Sequence, residues 1–389
     1  FTDTDKPGLF FWLAMMAKKE NPSLDSQSWN GRTSFGSLGT LLKFSRSGGS
    51  SVSSRVLRRK RSQNNEQQQP NEQNGRNNSV GTTDEISSTS DLGGNELTTF
   101  ASSVEGQHHA NEDRYFAMEN LGAEYLATMN GGKDTDDVKI ESGPDLAQFW
   151  STTSSFAVID GHDGSTCAQF IKDNLPRMMV TTEASRQTEC STLQRLEAIL
   201  GEAIARVERE FEIIANQNND NSGACLAIAL YHGDSLVVAN VGDCLGVLYD
   251  GTKKVHYMSK LHRAIIAEER TRVEAAGGFI IKGRVFGQMV PSRTVGDFDI
   301  KNACPGAVIA EPYFCHFEVK KRKESLPLLL LASDGLWDIY DGKSACRAAR
   351  KYLKAYQAKS LVSVPTMKMC TNAVSGGTRD DVTTVLVKL

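Results

Sequence analysis

Short apolar runs halted by acidic residues constrain this chain more than any other feature. Runs at 156–159, 225–230, 236–241, 328–332 and 382–387 have the length and composition of strands. Four acidic clusters stand out. "NEDR" (111–114) precedes an apolar stretch, "DGHDG" (160–164) follows "FAVI", "SDGLWD" (333–338) follows "LLLLA", and "RDDVTTVLV" (379–387) opens the last run. A carboxylate at the end of a core strand is desolvated, which is costly unless it is paired or metal-bound. Few basic residues lie beside these acids in sequence to pair with them. Turn chemistry accounts for any one cluster, since Asp-Gly is a common turn pair. Four clusters at strand edges fit better with carboxylates converging on hard divalent cations, Mg²⁺ or Mn²⁺. There is no His-Glu-x-x-His run and no cluster of thiols, so nothing points to zinc.

Helical periodicity is clearest over 191–214, where Leu193, Leu196, Leu200, Ala203, Val207, Phe211 and Ile214 recur every three or four residues. Ser191 and Gln194 make a capping-box start. Residues 267–278 predict a second helix stopping at glycine, and 343–357 a third. Strands and helices mix without strict βαβ alternation, which predicts sheets packed with helices in layers rather than a doubly wound fold. The polar stretch 119–155 reads as a loop or insertion.

The first hundred residues differ from the rest. Residues 1–62 carry 11 Lys/Arg against 4 Asp/Glu, peaking at "RVLRRKRS" (55–62), and in 63–78 eleven of sixteen residues are Asn or Gln. Such a segment buries too little apolar area to offset its chain entropy, so 45–96 is expected to be disordered. A basic cluster at 55–61 is either a nuclear-import or anionic-surface signal or a solvated charge run. "GLFFWLAMMA" (8–17) is too short for a membrane span, which needs roughly 20 residues. It reads as a docked helix rather than the remnant of a targeting segment. The expected division is a 1–98 extension and a 99–389 folded domain. Net charge is −3, which does not indicate a nucleic-acid partner. Eight cysteines without a Cys-x-x-Cys pair suit reduced thiols in an intracellular, cytoplasmic or nuclear protein.

Over about 100–389 the order "NEDR", "FAVIDGHDG", "SGACLAIAL", "VVANVGDCLGVL", "ERTRVEAAGGFI", "RVFGQMVPSRTVGD", "LLLLASDGLWDIY", "GTRDDVTTVLV" resembles the metal-dependent protein phosphatases of type 2C. The resemblance implies an α+β fold, a sandwich of two antiparallel β-sheets flanked by α-helices on both outer faces. It implies hydrolysis of phosphoserine and phosphothreonine in phosphoprotein substrates by a monomer using two Mn²⁺ or Mg²⁺ ions. By position, Asp160 would bridge the two metals and Gly161 would add its backbone carbonyl. Asp334 and Asp380 would hold one ion, Glu112 and Asp113 would act on the other largely through water, and His162 would be the general acid. His108 stands where the family commonly has a phosphate-gripping arginine, and Leu261 where a third-metal aspartate is expected. Leu245 replaces a usual arginine, Asp163 a usual glycine, and Asp381 a usual asparagine. These departures leave an alternative, a pseudophosphatase that binds phosphoproteins with little hydrolysis.

Overall fold

The computed structural model describes residues 84–91, 96–123, 144–320 and 327–389. Two antiparallel sheets carry the fold. The first runs in the order β1 (Asp84–Asp91), β2 (Glu96–Val104), β14 (Val382–Lys388), β13 (Leu328–Ala332), β7 (Leu245–Tyr249) and β8 (Val255–Tyr257). The second runs β12 (Tyr313–Glu318), β6 (Ser235–Val241), β5 (Gly223–His232), β4 (Thr153–His162) and β3 (Arg114–Met118), with β11 (Val295–Gly296) pairing β5. β9 (Ile280–Ile281) and β10 (Arg284–Val285) form a separate small hairpin.

Helices cover both outer faces. On the second sheet lie α1 (Pro144–Ser151), α2 (Thr166–Val180) and α3 (Thr192–Asn218). α4 (Ala267–Ala275) and α5 (Phe298–Ala303) follow in the long connection between β8 and β12, on either side of the small hairpin and β11. On the first sheet, α6 (Asp334–Trp337), α7 (Gly342–Gln357) and α8 (Pro365–Gly376) close the outer face. The capping box expected at Ser191 and Gln194 forms, and α3 runs on to Asn218, a left-handed cap.

Three apolar layers follow from strand alternation. Phe156 and Val158 point between the sheets, against Leu329, Leu331, Val385 and Val387. Ala157 and Ile159 point outward to α2 and α3, while Leu328, Leu330 and Leu386 point outward to α7 and α8. A strand buried on both faces has no polar side, and this is why "FAVI" and "LLLLA" read as continuous apolar runs in an antiparallel sheet.

Two expectations need correcting. Residues 84–91, placed in the disordered segment, form an edge strand paired along its length with β2, so the sheet begins upstream of residue 99. Pairing with β2 satisfies the N–H and C=O groups on its inner side without an apolar side chain for each residue. Composition reports apolar burial and not ladder formation. Within 119–155, residues 144–151 are helical, with Phe149 and Trp150 buried against the core. The disorder expected over 45–83, the basic cluster at 55–61, the apolar stretch 8–17 and the remainder of the loop at 124–143 lie outside the described residues.

Candidate metal centre

One end of the sandwich collects the strand ends that carry the acids. β3 and β4 pair with Arg114 opposite Ile159, so the next residues outward, Asp113 and Asp160, face each other. β13 and β14 pair with Ala332 opposite Thr384, which sets Asp334 and Asp380 just past their ends. β6 ends at Val241 beside Leu226 of β5, and Asp243 follows.

Carboxylate oxygens of Asp160, Asp243 and Asp334 lie within 4.8 Å of one another. Burial first, and then the charge of Asp113, push the Asp160 carboxyl well above its ordinary range. Burial and Asp243 do the same to Asp334. Asp113 is buried, its Oδ2 has no hydrogen-bond partner, and burial together with Asp381 raises it to about 7. Like charges held this close at the mouth of a core strand repel. A set of hard oxygen donors with an orphaned buried carboxylate atom fits divalent cations, and fits no softer metal.

The other expected residues take distinct places. The Glu112 Oε1 accepts the Gly164 N–H at 2.9 Å. A Cβ on Gly161 would lie 2.6 Å from the Glu112 carbonyl oxygen, so glycine is needed for this close approach. Asp380 is exposed and stands apart from the three-acid group, although its charge raises Asp113, Asp160 and Asp334. Asp381, the neighbour, is buried and accepts the Gly106 N–H at 2.7 Å and the Glu112 N–H at 2.8 Å. It therefore ties the loop of Glu112 and Asp113 to the start of β14. The His162 Nε2–H lies 3.0 Å from both oxygens of Asp297, a buried residue in the left-handed region at φ 56°. Burial disfavours charge on His162, but the Asp297 carboxylate outweighs it and raises the imidazole. His108 is exposed. The next histidine, also exposed, lies nearer the acids: the His109 Nδ1 is 3.0 Å from the Ala110 carbonyl oxygen, 3.8 Å from Glu112 and 3.7 Å from Asp381.

Sequence reasoning missed three residues. Asp243 follows the apolar run 236–241, the same signal that exposed the other acids. Leu261, where a third-metal aspartate is expected, offers no oxygen, and Asp243 is the further carboxylate that the structure sets beside Asp160 and Asp334. Arg263 holds that acid, with Nε 2.8 Å from Asp243 and Nη2 2.9 Å from Asp334. The neighbouring His262 Nδ1 accepts the Gly242 N–H at 3.2 Å, and burial lowers this imidazole to about 4. The third is Asp297, at the end of a quoted motif but with no sequence-local sign of a partner 135 residues away.

The family model for protein phosphatase 2C matches residues 127–382. A probable protein phosphatase 2C 27 of Oryza sativa subsp. japonica is 31% identical over 240 residues, 60% of this chain and 64% of its own. Protein phosphatase 1L of Bos taurus is 31% identical over 295 residues, 71% of this chain and 78% of its own. The match spans less than two thirds of the rice protein. A solved serine-threonine phosphatase 2C from Toxoplasma gondii aligns with a TM-score of 0.60 at 14% identity, covering 79% of this chain and 99% of its own. A C. elegans sex-determining protein aligns with a TM-score of 0.58 at 22% identity, covering 75% and 64%. At these identities the structural likeness is one of fold.

Proposed function

This chain belongs to the protein phosphatase 2C family, and on that premise we propose that it is a metal-dependent protein serine/threonine phosphatase. The observation that carries the reading is the convergence of Asp160, Asp243 and Asp334, with buried Asp113 behind them, on one end of the sandwich. Asp160 and the Gly161 carbonyl, Asp334 and Asp380, and Glu112 and Asp113 are assigned to hold two Mn²⁺ or Mg²⁺ ions. Asp243 joins that set. Bound there, such ions supply a water of lowered pKa and neutralise charge developing on the phosphoryl oxygens.

The chain's own residues supply the rest. His162, fixed through Nε2 by Asp297, is assigned to protonate the leaving alkoxide, and the transferable proton sits on Nδ1. The Asp297 carboxylate beside it favours the protonated imidazole. The phosphate-gripping role expected of His108 passes to His109, which lies nearer the acids. Asp381 ties the Glu112–Asp113 loop to the start of β14, and the close approach at Gly161 sets the same loop against β4, which holds the acids of the two sheets together.

Phosphate release from a phosphothreonine peptide, with Mn²⁺ and then with excess EDTA, tests the proposal. Release that depends on Mn²⁺ and is lost in Asp160→Asn is expected. Peptide binding without release in the presence of saturating Mn²⁺ would establish the pseudophosphatase alternative instead.

A further inference from the structure

α7 is the most one-sided element of the fold. Its inner face buries Ala345, Cys346, Ala349 and Leu353 against the first sheet. Its outer face carries Lys343, Arg347, Arg350, Lys351 and Lys354, all exposed, and the helix holds no acid. Among the described residues none of these five cations is in an ion pair. Arg350 lies over the Tyr249 ring at 4.3 Å, which sets the guanidinium at the mouth of a cavity. That cavity, of about 270 Å³, has Tyr249 and Leu328 as its floor and Arg350 and Lys354 on its wall. Gln357 also lines a second hollow of about 680 Å³, where Lys359 and Lys388 stand beside Phe100, Tyr356 and Val362. The two therefore meet at Gln357 and form a cationic groove with apolar patches.

The groove is remote from the acids. Leu328 pairs with Tyr249 at the start of β13, and Asp334 follows that strand's other end, roughly 15 Å away. We propose that this groove docks an acidic segment of a partner protein, with carboxylates against Arg350, Lys354, Lys359 and Lys388. Charge complementarity chooses the occupant. The chain's own residues 1–62, with 11 basic against 4 acidic residues, carry the wrong sign. A lipid surface is a poorer fit, because α7 exposes no large apolar side chain and Val362 is the single large, exposed apolar residue among those lining the groove, while the cations line a concavity.

Binding is read without turnover, so the outcome is independent of the hydrolytic function proposed above. Fluorescence anisotropy of the full chain follows a labelled glutamate-rich peptide, the same peptide with glutamine for glutamate, oligothymidine, and phosphatidylserine vesicles. The expected result is binding of the glutamate peptide only, weakened about tenfold in Arg350→Ala/Lys354→Ala and again in Lys359→Ala/Lys388→Ala. Arg209→Ala/Arg270→Ala, which removes the same charge from exposed positions on α3 and α4, should stay within about twofold. Equal weakening in all three double variants would show net charge alone at work and overturn the proposal. So would tighter binding of vesicles or oligothymidine than of the peptide, or no binding of the peptide at all. Thermal midpoints of the variants matched to the parent confirm that folding is unchanged.

Discussion

Replacing Asp160 by asparagine should stabilise the metal-free protein. Two unit charges 4.8 Å apart repel by about 3 kcal/mol at an effective dielectric of about 20. Asp160 faces two such neighbours. Arg263 compensates Asp243 and Asp334, at 2.8 and 2.9 Å, but no cation pairs with Asp160 among the described residues. Partial exposure and proton uptake reduce the repulsion, leaving about 1–3 kcal/mol to be gained on removing the charge. For a domain of this size that is a rise in Tm of roughly 2–5 °C. The sign with pH follows from linkage. The folded pKa of Asp160 lies above its unfolded value, so the native state holds the proton more tightly and stability falls as pH rises through that range. The advantage of Asp160→Asn should therefore be largest at neutral and alkaline pH and vanish towards pH 4. Calorimetry in EDTA across that range reads it directly, and Mn²⁺ should reverse the order by stabilising the parent far more than the variant. An Asp160→Asn protein less stable than its parent in EDTA at pH 8 would refute the reasoning.

Glu269 accepts hydrogen bonds from Arg272, Ser292 and Arg293 while buried, and is held near 2 instead of its ordinary 4.5. Glu269→Gln should cost on the order of 3 kcal/mol at pH 7, and the difference in Tm from the parent should be complete above about pH 5 and shrink as pH falls towards 2. Gly161→Ala should lower Tm by displacing the Glu112 carbonyl, at about 1–3 kcal/mol, and abolish the Mn²⁺-induced rise. His109→Ala, beside Glu112 and Asp381, should raise the KM for a phosphopeptide several-fold, while His108→Ala should leave it within about twofold; the reverse pattern returns the role to His108.

Much of the fold was legible because burial on both sides of a strand leaves a mark in composition. The runs at 156–159 and 328–332 announced core strands, and the acids after them announced the end where chemistry gathers. Asp243 carries the same mark, two residues past the apolar run 236–241. Asp297 could not be found this way, since it meets His162 only through the pairing of β11 with β5. β1 was invisible for a different reason. An edge strand of serine, threonine and aspartate contributes backbone hydrogen bonds and little apolar area, so its sequence resembles that of a chain without order. The two adjacent histidines show a further limit. Motif order fixes a loop to within a residue, while a contact depends on which side chain the loop turns inward.

The proposed hydrolysis requires that the acids at one end of the sandwich hold divalent ions. Anomalous diffraction at the manganese edge, from crystals of the protein grown with Mn²⁺, tests that most directly. Two peaks sharing Asp160, one of them against Asp334 and Asp380, are the predicted result. No peak within coordination distance of the Asp160 carboxylate would contradict it.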